Sequence, residues 1–197
     1  MDVSRETEAL LSGYSALVKK WNPTINLVAP QTVADFQQRH IRDSAQLYKH
    51  AKPHKGSWID LGSGGGLPGI VIAILAREHP VDISLVESDA RKSAFLSTCK
   101  RELGLPRLTV KTKRIEALAR SDHDFASARA LAPLQKLLPM LFSQLASTGE
   151  AWLLKGRSWR QEVEDARTSW SFDLETYKSA TDTESVVMKL RNIEPNA

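Results

Sequence analysis

With one cysteine, Cys99, in 197 residues, the chain can form no internal disulfide and no cysteine-rich zinc site, which fits a reducing compartment. Its longest apolar run, 69–75, falls far short of the roughly 20 residues that a membrane-crossing helix needs. Asp2, Arg5, Glu6 and Glu8 stand where a secretory signal carries a basic start and an apolar stretch, so a cytoplasmic protein is expected. The five histidines, His40, His50, His54, His79 and His123, lack metal-ligand spacing, and no metal is expected. Internal repeats, low-complexity tracts and disordered charge blocks are absent. A strong excess of one charge is absent too: 27 Lys and Arg against 23 Asp and Glu leave +4, which permits an acidic partner without demanding one. What remains, with 42% hydrophobic residues, describes one globular domain with a small appendage.

Two amphipathic helices open the chain. Leu10, Tyr14, Leu17, Val18 and Trp21 recur at helical spacing behind Ser4, a residue suited to an N-cap, and Val33, Phe36, His40, Ile41 and Tyr48 repeat the pattern. The turn-rich stretch 53–57 then separates a helical extension, 1–52, from a main domain, 53–197. In that domain short apolar runs at 58–61, 82–87, 108–113, 125–128 and 151–154 alternate with helical patterns at 68–78, 89–103, 116–120 and 133–146. Such alternation builds a parallel sheet covered on both faces. Two last strands, 172–177 and 186–190, are joined closely enough to pair as an antiparallel hairpin, which makes an α/β fold with a seven-stranded, mainly parallel sheet.

The sharpest motif is the segment 58–69, Trp-Ile-Asp-Leu-Gly-Ser-Gly-Gly-Gly-Leu-Pro-Gly, a strand that runs straight into a glycine-dense turn and then an apolar helix. Glycine permits positive φ and close approach of a ligand to the backbone, and the expected turn offers the free N–H groups of a helix start to whatever binds. Residues 64–69 read literally as GxGxxG, the nicotinamide fingerprint. Measured from the strand end at Leu61, however, the glycines are Gly62, Gly64 and Gly66, with Leu67 where the dinucleotide pattern wants a third glycine. That register favours S-adenosylmethionine, and no Gly-Lys-Ser/Thr follows to make a phosphate loop. Glu87 ends the second strand, 25 residues after Gly62, where an acid can accept hydrogen bonds from both ribose hydroxyls. A dehydrogenase would need a substrate domain beyond residue 150, whereas a methyltransferase completes its fold in this length.

Several segments together resemble one family: Trp21-Asn22 with Asn26-Leu27, Arg39-His40-Ile41 with Asp43-Ser44, the 60–69 loop, Glu87-Ser88 with Arg91-Lys92 and Phe95-Leu96, Arg114-Ile115-Glu116, Arg129-Ala130, and Leu154-Lys155-Gly156. The chain is similar over about residues 21–156 to the bacterial small-subunit ribosomal RNA guanine-N7 methyltransferases, the RsmG or GidB family. The resemblance implies a class I, Rossmann-like methyltransferase fold and S-adenosylmethionine as methyl donor. It implies that Gly62, Gly64 and Leu67 contact the donor, that Glu87 takes the ribose, that Ile115 and Glu116 flank the adenine, and that Arg129 sits between donor and substrate. It implies transfer to N7 of a guanine in 16S ribosomal RNA, with that RNA or the ribosomal subunit as partner; no membrane partner is expected, and the sequence leaves the oligomeric state open with a monomer favoured. At 128 this chain has Ala where the family commonly has Ser, so no hydrogen bond comes from that position.

Guanine N7 offers a lone pair and no proton, so its methylation needs in-line positioning rather than a general base. The segment 127–133 after the fourth strand, Ser-Ala-Arg-Ala-Leu-Ala-Pro, lacks the Asn/Asp-Pro-Pro-aromatic tetrapeptide of enzymes that methylate exocyclic amines, and Cys99 lies within an expected helix, unlike the nucleophile of a pyrimidine-C5 enzyme. No residue stands out as catalytic; Arg129, Lys155 and Arg114 are the candidates for positioning the substrate. Between Arg91 and Arg129 ten Lys and Arg face four acids, a local excess that can track phosphates. Arg91, Lys92, Arg114, Lys155 and Arg157 are the candidate RNA contacts, the last two because the 152–160 segment mixes cations with Trp152 and Trp159, which can stack on unpaired bases. Two alternatives stay open: a methyltransferase acting on a small molecule or a protein, and a non-catalytic module that binds S-adenosylmethionine or RNA.

Overall fold

The computed structural model describes residues 3–196; Met1, Asp2 and Ala197, which fall inside the expected segments, lie outside them. Helix α1 (Arg5–Ile25) starts as expected at Ser4, whose side chain accepts the Thr7 N–H. It ends at Asn26, in the left-handed conformation. A 3-10 turn (Pro30–Thr32) and a π-helical turn (Gln37–Ile41) lead into α2 (Arg42–Ala51). Then follow β1 (Gly56–Leu61), α3 (Gly69–Leu75), β2 (Val81–Glu87), α4 (Ala90–Glu102) and β3 (Leu108–Thr112). The chain continues through β4 (His123–Arg129), α5 (Leu134–Gln144), β5 (Leu145–Lys155), α6 (Trp159–Arg167), β6 (Trp170–Lys178) and β7 (Val186–Pro195).

The strands form one sheet in the order β3-β2-β1-β4-β5-β7-β6. All neighbours are parallel except β7, which runs antiparallel to both β5 and β6. The direction of winding reverses between β1 and β4, and a crevice opens at the carboxyl ends of strands at such a point. Alternation along the strands divides the core. Trp58, Leu85 and Trp152 point to the face covered by α1 to α4, while Ile59, Leu61, Ala126, Ala128 and Leu153 point to α5 and α6. Leu11, Tyr14, Val18 and Leu47 from the first 52 residues join the same cluster as Trp58 and Ile70, so the N-terminal helices share one core with the sheet.

Two elements differ from expectation. The helix expected over 116–120 is only a 3-10 turn, Ile115–Ala117. Over 115–120 only Ile115 and Leu118 are even half-buried, too few apolar contacts to offset the cost of starting an α-helix. Helix α6 has no counterpart among the expected elements, because its nine residues bury only Val163 and Ala166 and the rest read as a charged surface segment.

Candidate active site

The crevice is built on the glycine loop. Gly62, Gly64 and Gly66 have φ of 67°, 53° and 89°. A Cβ on Gly62 would come within 2.6 Å of Leu131, and one on Gly69 within 2.7 Å of the Asp60 carboxylate, so only glycine fits either position. Five of the loop's N–H groups are engaged within the fold rather than free. Ser63 N–H donates to Val86 O (2.9 Å), Gly64 N–H to Glu87 Oε2 (2.8 Å), and the Gly66 and Leu67 N–H groups to Ser63 O. Gly69 N–H reaches Asp60 Oδ2 at 3.3 Å. Most of the loop's donors thus hold its own shape. Its outer support is α1, whose buried Tyr14 hydroxyl donates to Gly65 O at 2.6 Å.

Beneath the loop lies a buried polar chain: Trp58 Nε1–H donates to Ser127 Oγ (2.8 Å), which donates to Asp60 Oδ1 (2.7 Å). Full burial pushes the Asp60 carboxyl up to about 6, against the hydrogen bonds from Ser127, Ser63 and Gly69 that favour its anion. Ser127 makes this bond from the residue beside Ala128, whose methyl group lies in the opposite core.

Two clefts open above the sheet. The first, about 600 Å³, is lined by Gly62, Gly64, Leu67, Glu87, Ile115 and Glu116, so the sequence-derived donor contacts converge there. Leu27, Val28 and Ala29 wall its other side. The Glu87 carboxylate is pinned at both oxygens. Oε2 accepts Gly64 N–H and Oε1 accepts Asp89 N–H, each at 2.8 Å, leaving further lone pairs toward the cleft. The second cleft, about 730 Å³, lies between the π turn, the ends of β4 and β5, and the 180–186 segment. His40, Arg129 and Ala130 line both clefts.

That shared wall is held rigidly. Thr32 Oγ1 donates to Ala29 O, so it must accept from His40 Nε2–H at 2.8 Å, which leaves His40 Nδ1 to accept from Arg129 Nη2 at 2.7 Å. Burial and the Arg129 and Arg39 charges push His40 down to about 4. On its other side the Arg129 Nε lies 3.6 Å from Asp43 Oδ2, while Asp43 Oδ1 accepts from Thr181 Oγ1 (2.8 Å) and Gln46 Nε2 (3.1 Å). Burial raises the Asp43 carboxyl, and Arg129 opposes that rise. Gln46 Oε1 also takes the Ala180 N–H at 2.7 Å, which ties the β6–β7 connection to α2. Ala130 follows with φ of 50°, a left-handed conformation costing a non-glycine residue about 1–2 kcal/mol, and it sits where the clefts meet.

The expected RNA contacts divide. Lys92 and Arg114 line the first cleft, joined by Lys113. Arg91 lies outside both and faces Asp89 at 3.5 Å; Arg157 is exposed and paired with Glu184 at 2.8 Å. Lys155 lines the second cleft but is not a free cation, since its buried ammonium donates to Glu162 (2.7 Å) and Ala132 O (3.0 Å) and so braces the segment after Ala130. Trp152 is buried and Trp159 carries Arg160 over its ring. Burial pushes the Cys99 thiol up to about 12, which makes it inert at neutral pH. The pattern of the chain assigns His40 and Asp43 a capping or interhelix role. Their shared Arg-His-x-x-Asp segment is the signal, but only the fold brings Arg129 between them.

Sheet order, glycine loop and pinned acid together define a class I S-adenosylmethionine-dependent methyltransferase. Solved structures share the fold: a methyltransferase from Geobacter sulfurreducens superposes with a TM-score of 0.62 (13% identity, 97% of this chain and 90% of that one), and a mutant of MtNAS in complex with S-adenosylmethionine with 0.64 (13%, 94% and 75%). The chain belongs to the GidB family, rRNA small subunit methyltransferase G, whose model matches residues 7–190. It is 51% identical over 193 residues, 98% of both chains, to a ribosomal RNA small subunit methyltransferase G from Paracoccus denitrificans. It is 47% identical over 196 residues, 98% of this chain and 95% of the relative, to one from a Ruegeria species.

The residues present fit S-adenosylmethionine. The would-be Cβ of Gly64 meets only the Gly62 carbonyl at 3.8 Å, so the loop face is open to the cleft. Glu87 offers acceptors for ribose hydroxyls, and Leu67, Ile115 and Met140 supply apolar walls.

Proposed function

We propose that the protein acts in the cytoplasm and transfers the methyl group of S-adenosylmethionine to N7 of a guanine in 16S ribosomal RNA. The donor occupies the first cleft, with Glu87 on its ribose and Ile115 and Glu116 beside its adenine. The target base enters the second cleft, and Arg129 and Ala130 stand where the two meet.

The observation that carries this reading is the state of the polar groups at that junction. Both His40 nitrogens are engaged and the ring stays neutral. Arg129 is a cation, and the Asp43 carboxylate is taken up by Thr181, Gln46 and Arg129. Among the described residues no free general base faces the meeting point, which suits an acceptor such as guanine N7 that has no proton to lose. S-adenosylmethionine supplies an electrophilic methyl group on a sulfonium when bound. The chain's own part is to fix the ribose with Glu87, to hold both cleft walls in register through Arg129, and to exclude water with Leu27, Leu67 and Leu131. Positioning of this kind can supply several kcal/mol, on the order of 7–11 in well-aligned cases.

The test is transfer from methyl-labelled S-adenosylmethionine to small subunits and to stripped ribosomal RNA, followed by digestion and mass spectrometry of the nucleosides. The expected label is in 7-methylguanosine alone. Label in another nucleoside, or none in RNA, contradicts the proposal.

A further inference from the structure

The second cleft carries a pair of cations for which methyl transfer itself has no use. The π turn is one residue wider than an α turn, with Arg42 N–H bonded to Gln37 O. It drives Ile41 into the core and His40 inward onto Thr32 and Arg129, and it leaves Arg39 and Arg42 exposed on the rim of the cleft. Arg39 stands within that wide turn and Arg42 directly after it, and both line the second cleft.

Their surroundings set them apart from the other candidate cations. Among the described residues neither forms an ion pair within 4.0 Å of a carboxylate, and the Arg42 guanidinium donates to the neutral Gln38 amide oxygen at 3.3 Å. Arg129 and Lys155, the other cations of this cleft, are committed to Asp43 and His40 and to Glu162. Arg157 and Arg91, beyond it, are paired with acids. On the opposite wall the Asp182 carboxylate is occupied by Ser185 Oγ (2.6 Å) and Glu184 N–H (3.0 Å), so it is capped rather than reaching across. The rim thus has one cationic side with unspent hydrogen-bond donors, immediately beside the room that a base would fill.

We infer that Arg39 and Arg42 form a phosphate clamp, holding the RNA backbone next to the target guanosine across the mouth of the second cleft. The inference rests on the RNA substrate proposed above. It moves the main backbone contact away from the 91–129 stretch, where the sequence puts the excess of cations, and onto the N-terminal segment. Guanidinium groups suit the role, since their forked donors meet phosphate oxygens two at a time and keep their charge at every working pH.

The test compares the native protein with the double variant Arg39→Gln, Arg42→Gln in methylation of small subunits over a range of salt concentrations. A second double variant, Lys19→Gln, Lys20→Gln, removes two exposed cations from α1, away from both clefts. The clamp predicts a KM for subunits raised about ten-fold or more at 0.15 M salt, and a salt slope of log(kcat/KM) shallower by about 1–2. Calorimetric affinity for S-adenosylmethionine and the melting temperature stay as in the native protein, and the Lys19, Lys20 variant keeps the native slope. An unchanged slope in the arginine variant, or an equal loss in the lysine variant, overturns the clamp. If the native protein itself methylates no ribosomal RNA, the substrate reading falls instead, so the two failures are told apart.

Discussion

At the scale of single residues, the site depends on side chains whose partners are fixed before any ligand arrives. Glu87 has one backbone N–H on each oxygen, so its carboxylate cannot swing away from the donor cleft. Glu87→Gln is expected to weaken S-adenosylmethionine binding by about 10- to 100-fold, the size of one or two charge-assisted hydrogen bonds, with RNA affinity unchanged. Calorimetry with the donor and a binding titration with ribosomal RNA check both halves; equal donor affinity in the variant contradicts the assignment. His40 makes a second prediction. Its native pKa lies near 4, below the ordinary value of 6.5, so between those values the unfolded chain binds a proton that the native one does not. The stability this ring contributes is complete above pH 6.5 and is lost as the pH falls toward 4. Asp60, raised to about 6 from 3.8, works in the opposite sense, since its proton binds the native state first and stability from that group grows as the pH falls from 6 to 3.8. NMR titration of the histidine side chains is the check: His40 is expected to stay a neutral Nε2–H tautomer down to pH 5, and a midpoint near 6.5 contradicts the Arg129 contact.

At the scale of elements, the donor cleft is a joint product of the sheet and the N-terminal helices. Tyr14 on α1 reaches Gly65 O, and the chain after α1 contributes Leu27, Val28 and Ala29 to the wall. Tyr14→Phe leaves a buried carbonyl without its donor, which costs about 1–3 kcal/mol and loosens the glycine loop. Chemical denaturation and donor calorimetry are expected to show both a lower midpoint and weaker donor binding; a variant equal to the native protein in both shows that α1 does not support the loop. Most elements are legible in the sequence because their patterns are local. The glycine loop, the acid ending β2 and the alternating apolar runs announce themselves by spacing. Helix α6 is not legible, since two buried residues in nine make no stripe, and the turn at 115–117 looks like a helix because Ile115 and Leu118 have helical spacing without enough burial behind them. The π turn has no signature of its own, yet it decides which of Arg39, His40, Ile41 and Arg42 face the core and which face the cleft.

For the whole molecule, two clefts share one wall, and that wall joins parts of the chain far apart in sequence: Ala29 and Thr32 before the π turn, His40 and Asp43 around the start of α2, Arg129 at the end of β4 and Thr181 between β6 and β7. The residues proposed to contact the donor are legible because each of their short segments, 62–67, Glu87 and 115–116, stands at or just beyond the end of a strand. The acceptor side is less so, because its residues converge only when the sheet folds; Arg91, from the charge count, and Arg157, from the segment with Trp152 and Trp159, stand beside acids that a local pattern does not reveal. Lys155 illustrates the same point: a lysine at the end of β5 has the right address for a ligand, but Glu162 on α6 claims its charge. The central claim is that this shared wall brings a methyl donor to guanine N7 in small-subunit RNA. Its most direct test is to incubate unmodified small subunits with the protein and S-adenosylmethionine, extract the RNA, and treat it with borohydride and then aniline, which cleave the strand at 7-methylguanosine. Primer extension is expected to show one new stop, at a guanine, that requires both protein and donor; an uncut RNA from a reaction in which both were present contradicts the account.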